Sequence, residues 1–300
     1  MSKPKAWISA MRLRTLPLSL AGIIAGSGIA HYNGFWDTSI FVLAIITTVL
    51  FQILSNFAND LGDGVKGTDN ADRVGPERAV QSGVISQAQM KLAVILTSLL
   101  SILSAGMLIY FGAQKMPLNV IWVYIGLAIA CVVAAITYTV GKKAYGYHGM
   151  GDIMVLLFFG GVSVLGVYSL YAKAFAWENV NLAVFVGCLS TAVLNLNNMR
   201  DYHNDAKSGK NTLVVKMGPN NAKFYHILLV VYGLVSLGMF VDSLENNLIY
   251  LGCIPALYFL VHVYTVMKIK KPKDFDPELK KVALTTFGTC LALFGVLAWI

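Results

Sequence analysis

Nine stretches of this chain run for 18 residues or more without an Asp, Glu, Lys or Arg: 15–36, 38–59, 92–114, 116–141, 153–172, 179–199, 224–241, 246–267 and 282–300. Polar residues gather in the segments between them. A bilayer core of about 30 Å needs roughly 20 apolar residues in helical form. Only helices and closed barrels satisfy every backbone group in lipid. Barrel strands alternate apolar and polar positions, and these runs are too long and too evenly apolar for that. The pattern predicts an all-α polytopic membrane protein with nine transmembrane helices. The first run follows Arg12 and Arg14 and has the charge and small residues of a signal peptide, but eight more runs come after it, so it is read as a retained helix.

Composition agrees. Charged residues make up 13% of the chain, against about 25% in soluble domains, too few to cover a water-facing surface. The net charge of +8 suggests nucleic acid until its distribution is examined. With the N-terminus on the cytoplasmic side and nine crossings, all but Lys115 and Lys173 of the 23 basic residues fall in the cytoplasmic tail and loops. That is the positive-inside rule, so the basicity is topological and no nucleic-acid partner is expected. Membrane lipid is expected around the chain. Cys131, Cys188, Cys253 and Cys290 all lie inside runs, form no CxxC and are read as packing residues.

Two cytoplasmic loops stand out, 60–91 and 200–223. In the first helix end, Asn56, Asn59, Asp60 and Asp63 follow i, i+3, i+4, i+7 spacing; in the second, Asn197, Asp201 and Asp205 follow i, i+4, i+8. Each set is expected to share one helix face. A helix C-terminus already carries partial negative charge, so a sequence that gathers carboxylates there twice expects a cation. The donors are all oxygen, with Asp69 nearby, which favours Mg²⁺ over zinc or copper. Arg73, Arg78, Arg200, Lys207 and Lys210 in the same loops supply phosphate partners. Together they suggest a diphosphate held by Mg²⁺. Asn56 matches Asn197, Asp60 matches Asp201 and Lys66 matches Lys207, each pair 141 positions apart. The chain is therefore expected to be a single domain, 1–300, built of two parallel four-helix halves, about 10–141 and about 150–268. The ninth helix, about 282–300, is appended. A third cytoplasmic element, "TYTVGKKAYGYHGMGD", offers Tyr138, Lys142, Lys143, Tyr145, Tyr147 and Asp152 around a glycine-rich turn.

At these residues the sequence resembles the UbiA superfamily of intramembrane prenyltransferases. Asn59, Asp60 and Asp63 look like its Asn-Asp-x-x-Asp motif; Asp201, Asp205 and Gly209 look like its Asp-x-x-x-Asp-x-x-x-Gly motif. Many members have a further Asp four residues after the first motif; Gly67 stands there, leaving Asp69 or Asp72 to substitute. "RLRTLPLSLAGIIAG", "AAITYTVGKKAYGYHGMGDI" and "TAVLNLNNMRDYHNDAKSGKNTLVVKMG" are similar to the branch that prenylates 1,4-dihydroxy-2-naphthoate in menaquinone synthesis.

The resemblance implies transfer of a polyprenyl group from polyprenyl diphosphate to the naphthoate ring, with loss of diphosphate and CO₂, at the cytoplasmic face of a bacterial inner membrane. The site implied is an apolar cavity under a cytoplasmic cap, between the second, fourth, fifth and sixth helices. Asn56, Asn59, Asp60, Asp63, Asp69, Asn197, Asp201 and Asp205 would hold Mg²⁺ or Mg²⁺–diphosphate. Asn59, Arg73, Arg78, Lys142, Lys207 and Lys210 would bind the diphosphate itself. Arg14, Tyr138, Tyr145 and Asp152 would place the aromatic acceptor. Two alternatives stay open: another acceptor such as 4-hydroxybenzoate, or a membrane transporter. A transporter usually binds its cargo near the bilayer midplane, whereas these acids sit at one rim.

Overall fold

A computed structural model describes residues 2–70 and 74–300; Asp72 and Arg73 lie outside the described residues. Among the described residues there is no strand, and nine helical spans are long and apolar enough to cross a membrane. They are α1 Lys3–Tyr32, α2 Thr38–Lys66, α3 Gln87–Gly112, α4 Leu118–Thr137, α5 Gly151–Ala172, α6 Trp177–Lys207, α7 Pro219–Asp242, α8 Asn247–Lys268 and α9 Pro272–Trp299.

Every charge-free run lies largely within one of these helices, but the helices overrun the runs on the acidic side. α2 continues to Lys66 and α6 to Lys207, so Asp60, Asp63, Asp201 and Asp205 sit on helix rather than in loop. α9 begins at Pro272, ahead of its run, and carries Asp276, Glu278, Lys280 and Lys281. Absence of charge marks the stretch that faces lipid. It does not mark the helix end, because charges that find partners can remain helical. α1 also differs from a single span. Its helix stops at Met11, Arg12 takes a left-handed backbone (φ 48°), and a new helix runs Leu16–Tyr32.

The helices close on one another around α6, the most enclosed of them. α6 packs on α5, α7 and α9, α9 packs on α1 and α8, and α2 packs on α1, α3 and α4. With no hydrophobic drive between helices in lipid, close backbone approach does much of the work. The α5–α6 crossing shows it. A Cβ on Gly160 would lie 2.4 Å from the Ala183 carbonyl oxygen, and one on Gly187 would lie 2.9 Å from that of Leu156. By contrast α4 is almost wholly unburied within the protein and meets α5 through Tyr124, whose hydroxyl donates to the Gly166 carbonyl (3.0 Å) and bonds Ser169.

Candidate active site

A cavity of about 580 Å³ lies among α1, α2, α3, α4, α5, α6 and α9. On α2 it is lined by Ala44, Thr47, Phe51, Ser55, Asn59 and Asp63, one stripe at helical spacing. From Ala44 to Asn59 that stripe spans about 22 Å at 1.5 Å per residue. One end is charged, with Asp63, Arg78, Arg200, Lys210 and Lys280. The walls beyond are apolar, with Leu108, Ile109, Leu127, Phe158, Phe159 and Leu170.

The charged end begins with Asp63, which is 4% exposed. Its Oδ1 accepts from the Tyr147 hydroxyl (2.8 Å) and its Oδ2 faces Lys210 Nζ (3.4 Å). Tyr147 also shares a hydrogen bond with Thr68 Oγ1 (2.5 Å), and Lys66 Nζ lies 3.8 Å over its ring. Burial raises the Tyr147 hydroxyl above its ordinary pKa, and the Asp63 charge adds to that, so it remains a neutral donor. Lys210 is pulled the other way. Burial lowers its pKa, but the Asp63 and Asp205 carboxylates outweigh burial and hold it above the ordinary lysine value. The ammonium therefore stands charged between the acidic ends of α2 and α6. Three loop segments meet here: Asn204 Nδ2 donates to the Thr68 carbonyl (2.8 Å) and Asn211 N to that of Tyr147 (3.1 Å). Gly62 allows the 138–139 segment to lie on α2, where Thr139 Oγ1 donates to the Ala58 carbonyl (3.0 Å).

Asp60, expected on the same face, differs from Asp63 in what it meets. Its Oδ2 accepts from Ala79 N and its Oδ1 from Val80 N, both at 3.2 Å, and it does not line the cavity. At 100° per residue, Asn59 and Asp60 mark opposite edges of the arc that holds the set, and the Asp60 edge meets the returning loop. Asn56 and Asn59 do line the cavity; Asn56 Nδ2 donates to the Met11 carbonyl (2.9 Å), closing the end of the first α1 segment.

The α6 end follows the same rule. Asn197 and Arg200 line the cavity; Asp201 and Asp205 do not. Arg200 is 3% exposed. Its Nε and Nη2 grip the Asp201 carboxylate (3.0 and 2.7 Å), Nη2 also reaches Asn197 Oδ1 (2.7 Å), and Nη1 reaches Asp276 Oδ1 (2.5 Å). Asp69 also lies outside the lining and pairs with Arg78 (3.7 Å), which does line it.

The remaining expected residues divide. Tyr138 and Tyr145 line the cavity, edge to face at 5.3 Å, with the Tyr145 hydroxyl on the Ala134 carbonyl (2.9 Å). Burial pushes the Tyr138 hydroxyl up to about 12. Arg14 is exposed at the rim and contributes to the lining. Lys142 and Lys207 are exposed and outside it. Asp152 is buried and outside it, hydrogen-bonded to Tyr225 of α7. Arg73 lies outside the described residues. Sequence reasoning missed Arg12, Gln52, Asp276 and Lys280, all in the lining. Gln52 joins a polar chain within the apolar run of α2, accepting from Ser19 (2.6 Å) and donating to Thr15 Oγ1 (3.0 Å). A lone Gln inside such a run was a usable signal. For Asp276, in a lysine-rich turn, there was none.

Among the described residues, no group of three or more His, Cys, Asp or Glu side chains converges to hold a metal. Asp63, Asn56, Asn59 and Asn197 still offer only hard oxygen donors at the cavity mouth. Magnesium typically takes one or two carboxylates and completes its shell with water and substrate phosphate, so this donor set fits it.

The UbiA prenyltransferase family model matches residues 19–280. A 1,4-dihydroxy-2-naphthoate octaprenyltransferase of Escherichia coli (strain K12) is 42% identical, with 93% of this chain and 91% of that protein covered. The protein of that name from Mycobacterium tuberculosis (strain ATCC 25618 / H37Rv) is 35% identical, with 98% and 97% covered. Among solved structures, a UbiA homolog from Archaeoglobus fulgidus bound to DMAPP and Mg²⁺ aligns at a TM-score of 0.59 and 15% identity, covering 94% of this chain and 98% of that one. A digeranylgeranylglyceryl phosphate synthase aligns at 0.62 and 15% over the whole of both chains. Matched by the family model over most of its length, and with full-length relatives well above 30% identity, this chain belongs to the UbiA prenyltransferase family.

Proposed function

We propose that this protein transfers a polyprenyl group from polyprenyl diphosphate to 1,4-dihydroxy-2-naphthoate, releasing diphosphate and CO₂ and forming demethylmenaquinol. The observation that carries this reading is the two-natured cavity, charged at one rim and apolar along the rest of its length. A prenyl diphosphate has the same division. Relatives carrying the name of this activity cover nearly the whole chain.

In this reading the diphosphate lies at the charged end and the polyprenyl tail along the α2 stripe. Asp63, Asn56, Asn59 and Asn197 would hold Mg²⁺, which when bound supplies Lewis-acid neutralisation of the departing diphosphate. Arg78, Arg200 and Lys210 add fixed positive charge in a site where burial strengthens electrostatics. Apolar walls keep water from the allylic carbon as positive charge develops there. Tyr138 and Tyr145 offer ring faces and edges beside the reacting end, suited to an aromatic acceptor. The ring attacks through the carbon that bears its carboxylate, and loss of CO₂ restores aromaticity.

The finer architecture belongs to the same proposal. Asn56 and Asn197, 141 positions apart, both line the cavity, which supports a reading of one domain built of two parallel halves. The meeting of segments 67–70, 138–148 and 204–212 forms a cap, facing the cytoplasm of a bacterial inner membrane with the N-terminus on that side. The test is an assay of membranes with Mg²⁺, a polyprenyl diphosphate, and 1,4-dihydroxy-2-naphthoate or 4-hydroxybenzoate in parallel, products identified by mass. A decarboxylated prenyl-naphthoquinol is expected. A prenylated benzoate alone, or no product with either acid, rejects the reading.

A further inference from the structure

Away from the cavity lining, three ionisable side chains from three different helices meet in the protein interior. His226 of α7 and His262 of α8 are 0% exposed and Glu278 of α9 is 2% exposed. His226 Nε2 lies 2.8 Å from His262 Nε2, and His262 Nδ1 lies 2.6 Å from Glu278 Oε2. Lys281 donates to Glu278 Oε1 at 2.6 Å. The two rings face each other through Nε2, so no ion fits between them. His226 Nδ1 is buried without a hydrogen-bond partner.

Such a group is costly. An apolar trio of similar volume would often be neutral or stabilising in its place, and ionisable residues inside membrane helices are seldom kept without a task. Position suggests the task. Glu278 is two residues from Asp276, about 200° around α9. The α-helical part of α9, which begins at Asp276, is thus fastened at its start on opposite faces, to His262 by Glu278 and to Arg200 by Asp276. The Arg200 guanidinium lines the cavity and also bonds Asn197 and Asp201. If the α9 turn moves, Asp276 moves, and the orientation of Arg200 at the charged end goes with it.

We propose that His226, His262 and Glu278 are positioning residues: a buried chain from α7 through α8 that sets the start of α9, and through Asp276 fixes Arg200 for the diphosphate. This rests on the function proposed above. His262→Ala should raise the KM for polyprenyl diphosphate about tenfold, the loss expected for one hydrogen bond to a charged group, with the acceptor KM unchanged. His262→Asn keeps a donor near the Nδ1 position and should recover most of that loss. Combined with Asp276→Ala, His262→Ala should add nothing, since both act through one contact. Deuterium uptake of a peptide covering 272–281 should rise in His262→Ala while α2 and α3 stay as in wild type. Glu278→Gln, which keeps the shape, replaces His262→Ala if the latter does not yield monodisperse protein. Equal loss for both substrates, additive losses in the double variant, or unchanged uptake at 272–281 overturns the proposal. If wild type transfers no prenyl group to any acceptor, the functional reading fails and the exchange experiment alone decides the positioning role.

Discussion

The acidic ends of α2 and α6 carry the same Asn-x-x-x-Asp spacing and handle it differently. On α2 the first aspartate, Asp60, is taken up by two backbone N–H groups of the 79–80 turn, and the second, Asp63, stays at the cavity with Tyr147 and Lys210. On α6 the first aspartate, Asp201, is gripped from one residue away by Arg200. Asp205 lies behind the lining, close enough to hold Lys210 charged. Both ends relieve the same problem, carboxylates crowded at a helix C-terminus. α2 solves it with neutral donors and a lysine borrowed from beyond α6. α6 holds Asp201 from within its own turn, through Arg200. The result is asymmetric: α2 presents a carboxylate to the cavity, and α6 presents a guanidinium.

That asymmetry makes the largest prediction. Asp63→Asn should lower the rate of prenyl transfer by about a hundredfold or more, because it removes a carboxylate proposed to hold the Mg²⁺ that neutralises the departing diphosphate. Asp201→Asn should lower it by only about tenfold, because its amide oxygen can still accept from Arg200. Initial rates with isolated membranes, at matched protein levels, measure both. Equal losses would break the comparison and restore two equivalent acidic half-sites.

Next in size is the link between the ends. Lys210→Met leaves Asp63 and Asp205 without their buried cation, and removing one partner of a buried pair costs about 3–5 kcal/mol. Thermal denaturation in detergent should show a clear drop in the midpoint. An unchanged midpoint would mean that the two ends do not depend on one another. A smaller effect is expected at the α2 loop. Asp60→Ala removes two hydrogen bonds from a buried carboxylate, about 1–3 kcal/mol of local stability. Limited proteolysis should then cut faster within 74–85. If cleavage is unchanged, Asp60 does not hold that loop.

Much of this was readable before any coordinates, for physical reasons that apply element by element. Lipid demands length, so the charge-free runs located the nine spans found among the described residues. Repeated crowding of oxygen donors at Asn56–Asp63 and Asn197–Asp205 pointed to two helix ends, and of these residues Asn56, Asn59, Asp63 and Asn197 line the cavity. What stayed hidden depends on partners far apart in the chain. Asp60 looked equivalent to Asp63 until the loop at 79–80 came back to it. Asp276 and Glu278 seemed to lie outside the ninth span because nothing local announces Arg200 or His262 as their partners. The break at Arg12 was hidden too, since its freed carbonyl neighbour at Met11 is satisfied by Asn56 on another helix.

The smallest effect concerns pH, and its sign follows from the rim itself. Lys210 and Tyr138 both have folded pKa values above their ordinary ones. A raised value means that the folded state holds its proton more tightly, so the stabilisation is fully present below the unfolded pKa and is lost as pH climbs through the folded one. Both unfolded values lie at about 10. Stability should therefore be flat across neutral pH with respect to these two groups and fall above about pH 10. In Lys210→Met the fall should be shallower, because the lysine contribution is gone while those of Tyr138 and Tyr147 remain. The measurement is the thermal midpoint of both proteins at several alkaline pH values in one detergent. Parallel curves would show that Lys210 does not carry the shared charge, and the coupling between the ends of α2 and α6 would then have to run through Tyr147 and Thr68 alone.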